Sequence, residues 1–432
     1  MQNRGVPYTP TSPAPGAPRS RTAAGSAAGA LPGPAARPAP DRGRTVLGPA
    51  LALVHTGRAP TRSALTEALG VTRATAGAVA SELAALGLVT VDARPAGGGR
   101  GRPSHRLAVD PAGPVVLAAQ IHADGFSVAL AGLGGVLEEP VDLPLPRPGD
   151  PGRVLRAVAE AGARLVAASP RSCLGAALAV PTPVAEPDGT ALAALYLDWP
   201  AGTPVTDLFA AAVAEAVPGA ALPTAVANDA NLAALAEHRH GAGRDARHLL
   251  YVTSGHRGVG GALVVDGRLH TGSAGLALEV GQLVVDPAGR PCPCGRRGCL
   301  DVEADPPALL AAAGRTPRPG EPLLDAARAV TRAAGRDPAA RAAVDRVADR
   351  LGAGIAGMVN ILDPDRIVLG GLHRDLLAAA PERLPAAVAG QCLWGRRAGV
   401  PLLPAALERP DLAGAAELAW QPYLDDPSAV AA

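Results

Sequence analysis

The chain has no lysine; all 40 of its basic residues are arginine. Aromatic side chains make up only 2% of it, so alanine, valine and leucine have to fill any core, as the 48% hydrophobic content allows. No run approaches the ~18–20 uninterrupted apolar residues of a membrane-spanning helix. The arginines near the N-terminus are not followed by a continuous apolar segment, which argues against a secretory leader. Only five cysteines occur, and three of them, Cys292, Cys294 and Cys299, fall within eight residues. That distribution excludes a disulfide framework and fits a reducing, cytoplasmic compartment.

The formal net charge is +1, unevenly divided. Residues 1–110 carry 13 arginines against five acids (Asp41, Glu67, Glu82, Asp92 and Asp110), whereas the rest of the chain carries 27 against 34. A basic front and an acidic rear point to a polyanionic partner at one end. Composition divides the chain further. Residues 1–43 are Pro, Ala, Gly, Ser and Arg without apolar periodicity; they cannot bury enough surface to offset ordering entropy and read as a disordered tail. Residues 44–110 form a basic module. In residues 111–420, Val/Leu/Ala strands alternate with Ala-rich helices, an α/β pattern, and residues 421–432 read as a C-terminal tail.

In the basic module an apolar helix is expected over 45–55. Thr61 is placed to cap a short helix, Arg62–Leu69, which Gly70 ends; Thr72 caps the next, Arg73–Leu86. Helix, tight Gly-containing turn, helix is the helix-turn-helix pattern. Leu88–Asp92 and His105–Val109 read as paired strands around a glycine-rich tip carrying Arg100 and Arg102. The whole is a winged helix-turn-helix with a basic wing, the wing arginines suited to a minor groove. Arg62, Thr72, Arg73 and Thr75 lie where such helices meet DNA, with double-stranded DNA as the expected partner. Gly77 and Ala78 occupy positions where a longer polar side chain would probe the groove, so base contacts are expected to be few and phosphate contacts to dominate.

In the acidic rear, strands are expected at Val115–Ile121, Phe126–Ala131, Gly134–Leu143, Cys173–Val180, Thr224–Ala227, Leu249–Thr253 and Ile367–Leu369. Thr224–Ala227 runs into Asn228-Asp229-Ala230-Asn231. An Asp at the end of a parallel strand sits where open α/β sheets bind ligands, and Asp229 there has the chemistry of a general base. The Gly255–Gly261 and Gly370-Gly371 turns can present backbone N–H groups to phosphates. Each feature has a bland reading as well, since Asn-Asp pairs cap helices and glycines make turns.

Together with Leu278-Glu279-Val280-Gly281-Gln282, Cys292–Asp301 and Asn360-Ile361-Leu362-Asp363-Pro364, these stretches resemble the ROK family (repressors, open reading frames and sugar kinases), over about residues 45–410. The resemblance implies two ribonuclease-H-like, actin-like ATPase lobes around a sugar cleft. It implies ATP- and magnesium-dependent sugar phosphorylation in the kinases and a response to sugars or their derivatives in the repressors. The N-terminal module is similar to the repressor branch.

Departures from the family pattern bear on function. Where the kinases carry Asp-x-Gly-x-Thr, this chain has Gln120-Ile121-His122-Ala123-Asp124, so no ATP site is expected and Asp229 is read as a vestigial base. By resemblance the sugar wall comprises Asn228, Asp229, Glu279, Gln282 (a family His), Asp301 (a family Glu) and Tyr196 (a family Asn). The Cys-x-Cys-x4-Cys run suits structural zinc on Cys292, Cys294 and Cys299. The family's fourth ligand is the His that Gln282 replaces; water, His256 or His270 are the alternatives. The expectation is a cytoplasmic DNA-binding transcriptional regulator, a repressor acting as a homodimer or homotetramer, that senses a sugar or sugar derivative; the alternatives are a sugar kinase with a DNA-binding extension and a constitutive DNA binder with a dead sensor.

Overall fold

Three helices open the fold: α1 (Arg44–His55), α2 (Arg62–Leu69) and α3 (Arg73–Ala85). The computed structural model describes residues 44–92, 104–122, 125–146, 149–192, 197–219, 221–393 and 399–431. The expected tail at 1–43, Arg100, Arg102 and Tyr196 lie outside the described residues. Thr61 Oγ1 accepts from the Ala64 amide at 3.1 Å and Thr72 Oγ1 from the Thr75 amide at 3.1 Å, so both threonines cap their helices. Gly70 ends α2 in the left-handed region, φ 63°, which a residue with a Cβ rarely enters. Strands β1 (Val89–Asp92) and β2 (Arg106–Val109) pair antiparallel, Val89 opposite Val109. Leu65, Val79, Leu83, Leu88 and Leu107 are buried between helices and strands.

The expected role of Gly77 is corrected. It is buried beneath the Arg62 side chain, and a Cβ there would lie 1.9 Å from an Arg62 guanidinium nitrogen. Gly77 makes room for Arg62 to lie across α3; it is not a shortened groove-facing position. Ala78 is exposed.

The first lobe begins with the meander β3 (Val115–His122), β4 (Gly125–Ala131) and β5 (Val141–Leu143). Helix α4 (Pro151–Ala168) leads to β6 (Cys173–Val180), parallel to β3. The hairpin β7 (Val184–Ala185) and β8 (Thr190–Ala191) and helix α5 (Val205–Ala216) lead to β9 (Thr224–Asn228), parallel to β6. The sheet order is 5-4-3-6-9. The third strand starts later than expected because Gly134 and Gly135 both take positive φ and make a turn. Helix α6 (Asp229–His240) leaves β9 directly.

The second lobe repeats the plan. Strands β10 (His248–Ser254), β11 (Gly260–Val265) and β12 (Arg268–Leu269) form a meander. Helices α7 (Leu300–Glu303), α8 (Pro306–Ala312), α9 (Leu323–Ala333) and α10 (Pro338–Leu362) precede β13 (Arg366–Gly370), parallel to β10. Helices α11 (Gly371–Ala379) and α12 (Arg383–Gln391) precede β14 (Leu402–Pro404), parallel to β13. The order 12-11-10-13-14 reproduces that of the first sheet.

Helix α13 (Pro410–Asp425) then returns across the first sheet. It covers one face of β3 while α4 covers the other, which is why Val115–Ala119 is a continuous buried apolar run rather than an alternating one. Trp420 is buried, its indole N–H donating to the Ala131 carbonyl at 3.2 Å, and Tyr423 Oη donates to the Leu174 carbonyl at 2.6 Å. The expected boundary at 420/421 therefore falls inside a core helix, because α13 continues through Pro422 to Asp425. Leu47 and Leu51 of α1 share this helix's core.

Candidate ligand cleft and cysteine knuckle

The strand ends of both lobes open on one cleft of about 290 Å³. Asn228 ends β9 and caps α6, its Oδ1 accepting from the Asn231 amide at 3.2 Å and its Nδ2 donating to the Thr182 carbonyl at 3.3 Å. Asp229 is thereby set at the first turn of α6, where the Ala230 amide donates to its Oδ1 at 2.7 Å. Burial raises the Asp229 carboxyl to about 6 in spite of that bond. Across from it, at the first turn of α13, lies Asp411, which receives Gln120 Nε2 at 2.7 Å. Burial, and then the neighbouring Asp229, push Asp411 up to about 8.

The start of α13 is itself anchored. Arg409 makes a two-pronged contact with Asp142 of β5, both bonds 2.7 Å, and Ser127 Oγ donates to the same carboxylate at 2.5 Å. The Arg409 contact outweighs partial burial and holds Asp142 down to about 2.

The opposite wall comes from the second lobe. Glu279 reaches the cleft from its lip; burial of the carboxyl, then Asp229 and Asp301, raise it to about 7. Asp301 is buried on α7 and its Oδ1 accepts from the Val259 amide at 2.8 Å. Asp305 accepts from the Gly258 and Ala308 amides at 3.4 and 2.8 Å, and burial raises it to about 6. These two aspartates hold the Gly-rich turn after β10. On that turn His256 stacks against His122 of β3, ring centroids 4.9 Å apart and planes 10° apart. The two imidazoles bridge the lobes.

The structure thus brings Asn228, Asp229, Glu279, Gln282 and Asp301 into one cavity. Sequence reasoning missed Asp411, Thr182 and Tyr251, which line it too.

Cys292, Cys294 and Cys299 form one cluster, with Sγ of Cys294 and Cys299 3.6 Å apart. Burial pushes the Cys292 thiol up to about 12, whereas the Arg296 amide and guanidinium beside Cys294 bring that thiol down to about 7. Three convergent sulfurs fit three of zinc's four tetrahedral positions. The fourth is not supplied by His256, which is stacked on His122, and Gln282 Oε1 accepts instead from Arg296 Nη2 at 3.3 Å. Neither His256 nor His270 belongs to the cysteine cluster among the described residues.

A second polar cluster joins the front helices to the lobes. Glu417 of α13 is fully buried and accepts from His55 Nε2 at 2.9 Å, His240 Nε2 at 2.9 Å and Arg239 Nη1 at 2.6 Å. Burial alone would raise its carboxyl; these three partners hold it well below the usual range. The spacing of His55, His240 and Glu417 would suit a metal ion. The Gly134 amide, however, donates to His55 Nδ1 at 2.9 Å. That fixes the neutral ring's proton on Nε2, the atom a metal would need.

The doubled strand order and the interlobe cleft are those of the actin-like ATPase fold. Residues 123–421 match the ROK family, and the chain belongs to it. It is 33% identical over 210 residues to a putative xylose repressor of Caldicellulosiruptor sp. strain Rt8B.4, a match covering 46% of this chain and 50% of that protein. It is 39% identical over 162 residues to a glucokinase of Halalkalibacterium halodurans, covering 35% and 49%. The chain spans about half the length of the curated relatives it matches. A solved ROK family transcriptional regulator, a homologue of the E. coli MLC protein, superposes with a TM-score of 0.72 at 23% identity, over 90% of this chain and 100% of that one, and shares the fold. Repressors and sugar kinases thus both stand among the relatives.

Proposed function

We propose that this chain is a DNA-binding transcriptional regulator, a repressor when unliganded, whose kinase-like cleft senses a sugar or sugar derivative. Gln120 carries this reading. The resemblance puts an acid for magnesium and phosphate at this position. An amide cannot replace that charge, and its Nε2 is engaged by Asp411 at 2.7 Å. The His122–His256 stack occupies the approach that glycine leaves open in the kinases. No ATP is expected.

In this reading α2 and α3 are the helix-turn-helix and β1–β2 the stem of its wing. Thr72, Arg73 and Thr75 meet double-stranded DNA, as does Arg62 from where it lies across α3; Arg100 and Arg102, outside the described residues, are proposed contacts as well. Arg73 is exposed; Thr72 is engaged as a helix cap, so its part is to fix the helix end against a phosphate. Asn228, Asp229, Glu279, Gln282 and Asp301 take the effector. Zinc on Cys292, Cys294 and Cys299 would brace the loop that delivers Asp301. Paired operator half-sites call for a homodimer or homotetramer.

The coupling route is also proposed. Helices α6 and α13 each have one end in the cleft, at Asp229 and Asp411, and carry Arg239, His240 and Glu417 to His55 of α1. An effector that favours one lobe arrangement would bias the pose of the front helices through these two rods.

The retained Asp229 and the glucokinase relatives favour a second reading, a sugar kinase with a DNA-binding extension. Incubation with Mg-ATP over a hexose panel, alongside binding to a selected operator duplex, separates the readings. The proposal expects operator binding weakened by a sugar and no ATP consumption. Turnover abolished by Asp229→Asn establishes the kinase. Operator binding indifferent to every sugar, with no thermal shift, marks a constitutive DNA binder.

A further inference from the structure

We infer that the cleft selects a cationic effector, a sugar-like polyol bearing a free amine, whose ammonium group sits between Asp229 and Asp411. This rests on the sensor reading above and names the chemical class of its ligand.

Asp229 and Asp411 both line the cleft at the first turns of two packed helices, and neither forms an ion pair among the described residues. Glu279 adds a third carboxyl from the lip. Buried carboxylates are normally paired with a cation, because desolvating an unpaired charge is costly. The chain contains no lysine, so an internal ammonium is excluded. Of the arginines that line the outer cleft, Arg328 is engaged by Asp375 at 2.9 Å, and Arg257 and Arg374 are exposed at the mouth. Gln120 gives Asp411 one N–H, which satisfies one oxygen and leaves the charge uncompensated. The high proton affinity of both aspartates is the expected state of such a pair before a cation arrives.

A second observation is independent of the acids. Thr182 is 2% exposed and lines the same cleft, and its Oγ1 has no hydrogen-bond partner among the described residues. A buried hydroxyl without a partner is uncommon and points to a ligand that supplies one. An ammonium has three N–H donors and no acceptor. Two carboxylates and the Thr182 hydroxyl oxygen match that set, with Glu279 left for the polyol. A neutral sugar offers hydroxyls here but no charge. A divalent cation is the other possible occupant, and it is an arm of the test.

Titration calorimetry on the full-length protein tests the inference with glucosamine, mannosamine and galactosamine, their N-acetyl forms and the parent hexoses. The expected result is that at least one free amine binds at least about tenfold more tightly than both its N-acetyl form and its parent hexose. Asp411→Asn should erase that preference, with circular dichroism and a cooperative urea transition showing that the protein remains folded. Asp229→Asn is the second variant, with the same expectation. Equal or tighter binding of a neutral or N-acetyl sugar overturns the inference and leaves the regulator reading standing. Stoichiometric binding of magnesium that Asp411→Asn abolishes, with no free amine bound, also overturns it. Loss of operator binding in the wild-type protein would instead count against the regulator reading.

Discussion

Asp411 shows how a buried acid lining the cleft weakens the fold that holds it. Its carboxyl is raised from 3.8 to about 8 by burial and by Asp229. The native state therefore holds a proton that the unfolded chain releases near pH 4. The associated stability is full below about pH 4 and is lost as pH rises through about 8. Asp411→Asn removes the ionisation, so at pH 8.5 the variant should be more stable than wild type by about 1 kcal/mol or more, the gap closing towards pH 4. Urea unfolding at the two pH values checks this, and a pH-independent gap would contradict it. Asn228 and Asp229 were legible in the sequence because their roles are local: a strand end, a helix cap, an acid at the first turn. Asp411 was not, because its contact with Gln120 spans 291 residues and an Asp at a helix start reads as an ordinary N-terminal acid. His55 and Glu417, 362 residues apart, escaped for the same reason.

At the level of elements, the contact between α6 and α13 is close enough to be tested by one methyl group. A Cβ on Gly414 would lie 2.0 Å from the Leu232 carbonyl oxygen. Neither helix backbone can yield cheaply, so Gly414→Ala should cost about 1–3 kcal/mol or more, as overpacking does, read as a lowered urea midpoint. At the far end, Glu417→Gln keeps the shape but leaves Arg239 facing an amide and removes the charge that His55 and His240 share. A loss of about 3 kcal/mol is expected, in the range found when one member of a buried pair is removed. Operator affinity should lose its response to effector before it loses strength. Most elements were readable: Thr61, Thr72 and Gly70 announce helix ends by local chemistry. The length of β5 and the run of α13 through Pro422 were not, since both depend on what packs against them.

For the whole molecule, the duplicated sheet order was implied by the family resemblance rather than by periodicity, because strands buried on both faces carry no alternation. The knuckle works at this scale, as the tie between Cys299 and the adjoining α7 wall with Asp301. Zinc analysis should find about one ion per chain, and Cys299→Ser should remove it and lower Tm; full metal loss without a change in Tm would show that the turn stands by its glycines alone. The regulator reading itself is tested by fluorescence anisotropy of an operator duplex selected from random DNA, with ADP formation followed in the same cuvette. Titrating amino sugars in the presence of Mg-ATP should release the duplex with no ADP formed. Steady ADP production that Asp229→Asn abolishes, with the duplex unmoved, would contradict it.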